Sequence, residues 1–360
     1  MPLTQIRTSN LDTTNSLFFR NRIINGDMRI DQRNAGASVT LSSGSIYTID
    51  RWNFELSQAS KISVQQNAGS VTPPPGFTNY LGITSLSAYS VLSGDYFSFR
   101  QLIEGYNVAD LGWGTANAKT ITVSFWVRSS LTGTFGGAIK NGDSNYNYPF
   151  SYTINSANTW EQKSIIIAGP TSGTWNNTTS AGLQLYIGLG TGSQYGNGTA
   201  GAWTTSNFVT VTGATSVVGT NGATFYITGV QLEVGTAATA FERRPYGTEL
   251  QLCQRYCEVL SFENDQYTGA SGFAQTSGTS YFAQSWTQVK RASPTVTFTG
   301  TNWNAQGLAD SSSPTAISAT RISLTAANIL LSASFSGTNG QAVNLRSLAN
   351  SQKITISAEL

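Results

Sequence analysis

Short runs in which apolar and polar residues alternate, separated by Asn-Gly turns, constrain this chain more than any other feature. In 120-TITVSFWVRS-129, Ile121, Val123, Phe125 and Val127 fall on one side and Thr122, Ser124, Trp126 and Arg128 on the other. A strand sends successive side chains to opposite faces, so the pattern marks a strand with one apolar face. Strands are predicted at 62–66, 96–103, 120–129, 163–168, 183–189, 208–213 and 224–234. Asn141-Gly142, Asn197-Gly198 and Asn221-Gly222 lie between such runs. These dipeptides supply the positive φ angles of tight hairpins, which favours antiparallel connections. A second set of strands is predicted at 279–288, 294–300, 315–326, 328–336 and 352–360. No repeat of solenoid length is present. The expected fold is all-β, a β-sandwich or jelly roll followed by a small β domain.

One segment has helical spacing. In 247-GTELQLCQRYCEVL-260, Leu250, Cys253, Cys257 and Leu260 share a stripe. Thr248 is placed to cap it, and Pro245 bars an earlier start. The expected organisation is an N-terminal docking arm at 1–20, a jelly-roll domain at 21–246, a connector helix at 247–262 and a C-terminal β domain at 263–360. The apolar stripe of the helix and the strand ends 330–335 and 354–360 need covering. Neighbouring copies of the chain would cover them, so a homo-oligomer, a trimer, is expected.

Composition narrows the function. Charged residues make up 11% of the chain, against roughly 25% in an average soluble domain. Hydrophobic residues at 39% still leave material for a core, so the chain reads as folded rather than disordered. The net charge is +2 and no basic run exceeds Arg243-Arg244, which argues against a nucleic-acid partner. No apolar run reaches the length of a membrane span, and 1-MPLTQIRTSN-10 has no signal-peptide core.

There is no histidine, which removes the commonest general base and metal ligand. Cys253 and Cys257, on adjacent helical turns, are poorly placed for a disulfide and lack further soft ligands for zinc. They read as small buried apolar groups. Asp27, Asp31, Glu104, Asp110 and Glu233 are scattered singly, whereas glycoside hydrolysis needs two carboxylates at a set separation. Asp50-Arg51 reads as a structural ion pair. No enzyme, cofactor or metal is expected.

Three loop-like stretches mix aromatic rings with amides and hydroxyls: 142-GDSNYNYP-149, 173-GTWNNTTSAG-182 and 192-GSQYGNGTAGAW-203. Rings stack on sugar C–H groups, and amides meet sugar hydroxyls. Tyr146, Tyr148, Trp175, Asn176, Asn177, Tyr195 and Trp203 are therefore the candidate glycan contacts. The alternative is that the rings wedge between sheets or subunits while the Asn residues form turns.

The block 21-NRIINGDMRIDQRNAG-36, with 47-YTIDRW-52, 99-FRQLIEG-105, 121-ITVSFWVRSSLTGTF-135 and 225-FYITGVQLEVGTAATAFERRPYGTELQLCQRYCE-258, resembles bacteriophage tail-fibre and virion structural proteins. These are similar in pattern to jelly-roll carbohydrate-binding modules. The segment 286-WTQVKRASPTVTF-298 is similar to short β domains that end phage fibres. The resemblance implies a virion component made in the host bacterial cytoplasm. It would dock to other tail or capsid proteins through residues 1–20 and attach to a host glycan. A capsid or tail decorating protein with no ligand is the alternative it leaves open, and a glycan hydrolase a further one. Such modules commonly hold a structural calcium near the opening acidic residues. Asn25, Gly26 and Asp27 match, but Arg29 stands where a Glu is expected.

Overall fold

The computed structural model describes residues 19–275, 278–307, 311–312, 314–333 and 339–360. Apart from Phe19 and Arg20, the docking arm expected at 1–20 lies outside the described residues, as do residues 334–336 of the strand expected at 328–336. The chain divides into two compact units, the first ending at Arg244 and the second beginning at Pro245.

Among the described residues the first unit holds twelve strands. They are β1 Val39–Thr40, β2 Gly44–Tyr47, β3 Asn53–Leu56, β4 Ile62–Gln66, β5 Leu81–Ser85 and β6 Tyr96–Glu104. There follow β7 Ile121–Ser129, β8 Gly133–Asn141, β9 Asn147–Ile154, β10 Glu161–Ile167, β11 Ala181–Thr191 and β12 Thr224–Val234. They form two six-stranded sheets, ordered β1-β4-β5-β12-β7-β10 and β2-β3-β6-β11-β8-β9. From β5 onward the chain crosses repeatedly from one sheet to the other, giving a jelly-roll β-sandwich.

Alternation explains the layers. Ile121, Val123, Phe125 and Val127 of β7 are buried in the core, as are Leu183, Leu185, Ile187 and Leu189 of β11. Phe225 of β12 meets Phe99 of β6 at 6.1 Å and Phe135 of β8 at 5.9 Å between ring centroids, joining the sheets. Each such ring removed from water contributes about 1.5–3 kcal/mol. The opening block closes one margin of this core. Asn21 Oδ1 accepts from the amides of Ile23 and Leu232, both at 3.0 Å. Asp50 and Arg51 are buried; Asp50 accepts from the Gln32 amide at 2.7 Å, and Arg51 donates to the Leu102 carbonyl at 2.5 Å.

Two expectations are corrected. Residues 208–213 are not a strand: Val209 and Val211 are buried in an irregular loop, with one bridge between Gly198 and Val211. Burial on a sheet's outer face produces the same apolar spacing as a strand would. The helix runs only over Tyr246–Gln254, and Cys257–Phe262 is a strand, β13. Six residues of β13 pair with the C-terminal strand, from Cys257 opposite Ser357 to Phe262 opposite Gln352. That ladder outweighs the weak helical preference of Tyr256, Cys257 and Val259.

The rest of the second unit comprises β14 Tyr267–Gln275, β15 Thr279–Ser285, β16 Thr295–Thr299, β17 Trp303–Gln306, β18 Ser311–Ser312, β19 Pro314–Thr320, β20 Ala326–Ala333, β21 Ala342–Ser347 and β22 Gln352–Ser357. Its sheets are β13-β22-β16 and β18-β17-β21-β14-β15-β20-β19. Leu331, Ile354 and Ile356 are fully buried in this unit's own core. Cys253 and Cys257 are buried thiols. These residues therefore need no neighbouring subunit to cover them.

Candidate functional site

The outer face of the sheet β2-β3-β6-β11-β8-β9 carries a pocket, and strand register builds it. Asn53 pairs with Arg100, Arg100 with Tyr186 and Tyr186 with Ala138, so these four form one cross-strand row. Gln184, Lys140 and Asn147 form the next row. Because Phe97, Phe99, Leu185 and Ile139 point into the core, their polar neighbours in sequence face outward.

The loop after β11 covers part of this face. Gly136 lets it approach: a Cβ there would lie 2.0 Å from Thr210 Oγ1 and 3.1 Å from the Val211 amide nitrogen. Asn147 holds the loop down, exchanging backbone hydrogen bonds of 2.9 Å with Thr204 and donating its side-chain amide to the Ser206 carbonyl at 2.8 Å. Between loop and sheet remains a pocket of about 200 Å³ lined by Glu55, Tyr96, Arg100, Lys140, Ser144, Tyr186, Tyr195, Asn207 and Val209.

Its polar floor is held in place. Arg100 donates to Gln184 Oε1 at 2.8 Å, to Asn53 Oδ1 at 3.1 Å and to the Tyr186 hydroxyl, and it pairs with Glu55. Gln184 Nε2 donates to Ser144 Oγ at 2.9 Å and to the Gly142 carbonyl at 2.8 Å, fixing the turn between β8 and β9. Lys140 Nζ donates to Asn207 Oδ1 at 2.5 Å and lies 4.2 Å from the centroid of the Tyr186 ring. Among the described residues no carboxylate reaches ion-pairing distance of this ammonium. Burial pulls the Lys140 amine down to about 7, against an upward pull from Glu55. Burial likewise pushes the Tyr186 phenol up to about 12. At the rim Tyr96 and Tyr195 meet edge to face, 5.2 Å between centroids.

The seven residues singled out in the sequence divide between two places. Tyr195 lines this pocket. The other six sit at or beside a patch of rings at one end of the sandwich. Trp203 is at its centre, stacked on Tyr146 at 5.4 Å with 12° between planes, and 5.3 Å from Tyr148 and 5.7 Å from Trp175. Trp113, absent from the sequence candidates, stands 4.7 Å from Trp175 and 5.4 Å from Trp203. The indole N–H groups serve the fold: Trp203 donates to the Ala168 carbonyl at 2.8 Å, Trp175 to Ser172 at 3.2 Å and Trp113 to Lys119 at 2.7 Å. Asn176 Oδ1 accepts from the Thr178 amide at 2.9 Å, forming a turn. Asn176 and Asn177 line a cleft of about 170 Å³ with Trp113 and Trp175.

Pocket and patch share two loops. The turn between β8 and β9 gives Ser144 to the pocket and Tyr146 to the patch. The segment 203–207 gives Asn207 to the pocket and Trp203 to the patch.

The residues at the position matching a structural calcium do not fit that ion. Arg29 Nε lies 3.1 Å from Asp27 Oδ2, so a guanidinium stands where calcium needs further oxygens.

The fold and pocket define a two-unit β protein whose first unit is a jelly-roll β-sandwich with a pocket on one outer face. No family model matches the chain, and no curated protein matches it. Among solved structures it is similar to the enzymatically active domain of Bacteriophage CBA120 tailspike protein 4, at 13% identity and TM-score 0.32, over 60% of this chain and 21% of that one. It is also similar to the family 11 carbohydrate-binding module of Clostridium thermocellum Lic26A-Cel5E, at 11% identity and TM-score 0.28, over 57% of this chain and all of that one. The CBM22-1 xylan-binding domain of Paenibacillus barcinonensis Xyn10C is similar at 12% identity and TM-score 0.26, over 57% of this chain and 99% of that one.

Proposed function

We propose that the first unit binds a saccharide in the outer-face pocket, within a bacteriophage fibre or spike subunit that attaches to a host-surface glycan. The observation that carries the binding reading is the pocket itself. Two tyrosine rings stand at the rim of a recess whose floor of Arg100, Glu55, Ser144 and Asn207 is held by its own hydrogen bonds. A sugar presents C–H faces to rings and hydroxyls to such a floor, and a fixed floor loses little entropy on binding. Tyr146, Tyr148, Trp175, Asn176, Asn177 and Trp203, across the shared loops, form a secondary contact zone for a longer chain.

The reading is of binding, not cleavage, because the pocket lining holds one carboxylate, Glu55, where hydrolysis needs two. One such pocket binds weakly, and three copies docked to a virion through residues 1–20 would supply avidity. The resemblance spread over residues 21–258 supports the virion assignment. A decorating protein without ligand is the second reading; the internally bonded indoles of the ring patch favour it.

The test is a glycan array probed with the full-length protein, with its solution mass measured alongside. Saccharide-selective binding by a three-chain species is expected. Absence of binding to any saccharide would overturn the binding reading, and a stable monomer at micromolar concentration the oligomeric one.

A further inference from the structure

Lys140 is an ammonium that the fold removes from water without giving it an anion. The residue is about 1% exposed and lines the pocket. Its hydrogen-bond acceptors are the side-chain oxygen of Asn207 at 2.5 Å and the Asn207 carbonyl at 3.4 Å, both neutral. The groups facing it from neighbouring elements are Glu55 on β3, Arg100 and Tyr96 on β6, Tyr186 on β11 and Tyr195 beyond β11. Glu55, the one carboxylate among them, is engaged by Arg100 and by the Tyr186 hydroxyl at 3.4 Å. The lining thus carries two cations and one anion, and the anion is taken. A buried cation lacking a counter-charge is costly. A ligand that brings a negative group into the pocket removes that cost.

We propose that the pocket selects a saccharide bearing an anionic group, and that this group is read by Lys140. The inference rests on the saccharide-binding reading and names the ligand class for that site. Lys140 has three N–H donors and its hydrogen-bond acceptors both belong to Asn207, so a donor remains for a carboxylate or sulfate entering from the rim. A neutral sugar would satisfy the tyrosines and Asn207 but leave the ammonium uncompensated. Because the amine titrates near 7 without ligand, an arriving anion draws a proton onto it.

The experiment pairs acidic saccharides with neutral counterparts on the array: oligogalacturonate with its methyl ester, sialylated with asialo glycans, and sulfated with desulfated ones. The full-length protein and Lys140→Met are compared, with the thermal transition of each recorded. The expected result is an acidic member of one pair bound at least about tenfold more tightly than its neutral partner, with that preference lost in Lys140→Met. The preferred pair identifies the anion as carboxylate or sulfate. If Lys140→Met does not fold, the unsubstituted protein still decides the matter. Its affinity for the acidic member should fall by up to about tenfold per pH unit above 7 until the amine of the complex titrates, while that for the neutral member stays flat. Equal binding of both members, or a preference unmoved by Lys140→Met and by pH, overturns the anionic class and leaves saccharide binding standing. Binding to neither member of any pair overturns the anionic class, and absence of binding to every saccharide on the array overturns both.

Discussion

Trp52 donates its indole N–H to the backbone carbonyl of Asn25 at 3.1 Å, and both residues are fully buried. Asn25 makes this corner possible. Its Oδ1 accepts from the Ile30 amide at 2.9 Å, and its Nδ2 donates to the carbonyls of Ile30 at 2.8 Å and Asp50 at 3.0 Å. Its φ of 57° places it in the left-handed region, which Asn tolerates better than most residues. The opening block around Asn25 is thus a clamp for the sandwich.

Asn25→Ala should destabilise the first unit by about 3 kcal/mol, since it strands buried polar groups and strains the backbone. Asn25→Gly removes the strain but not the lost hydrogen bonds, and should cost about 1 kcal/mol less. Denaturant unfolding followed by tryptophan fluorescence measures both. Equal losses would remove the backbone part of the explanation.

The pH dependence of the first unit follows from Lys140. Its amine titrates near 7 in the folded state and near the ordinary lysine value, 10.5, when unfolded. Between these values the unfolded chain holds more protons, so stability rises with pH. Below about 7 both states are protonated and the full cost of burying the charge applies. The unit should gain up to a few kcal/mol from pH 7 to 10. Lys140→Met should flatten that rise in thermal unfolding curves recorded across the range. A native protein already insensitive to pH there would contradict the desolvated ammonium.

In the second unit Lys290 Nζ lies 2.6 Å from Glu258 Oε2, with both side chains essentially inaccessible. Glu258 also accepts from the Thr287 amide at 3.1 Å, and Lys290 donates to the Gln254 carbonyl at 2.7 Å. Glu258→Gln leaves the ammonium buried against a neutral amide and should cost about 3–5 kcal/mol. Adding Lys290→Met should recover part of that loss. A double-mutant cycle on unfolding free energies reads the coupling, and strict additivity would show that the pair contributes nothing as a pair.

Strand alternation carried most of the fold. The runs at β6, β7, β11 and β12 are legible because their apolar residues recur every second position. β8 is not, because 133-GTFGGAIKN-141 has three glycines where alternation should show. One of those glycines, Gly136, is where the covering loop crosses the strand. Most of the pocket is illegible in the sequence for a related reason. Aromatic and amide residues in loops suggest sugar contacts directly, whereas Arg100, Gln184 and Tyr186 lie inside strands and look like ordinary outward-facing positions. Their signal was the long polar side chains opposite a strictly apolar face. The convergence of Tyr146, Trp175 and Trp203 was foreshadowed by loop composition, but how far the fold itself uses their rings depends on Trp113 and on carbonyls that no motif marks.

The most direct test of the pocket is isothermal titration with the saccharide that the array identifies. The full-length protein is compared with Tyr96→Ala/Tyr195→Ala, which removes both rim rings, and with Trp175→Ala in the ring patch. Removing the rim should weaken binding by at least about tenfold, or about 1.4 kcal/mol, with unfolding behaviour retained. Trp175→Ala should weaken it less. If the rim variant binds as the unsubstituted protein does while Trp175→Ala abolishes binding, the site is the ring patch and not the outer-face pocket.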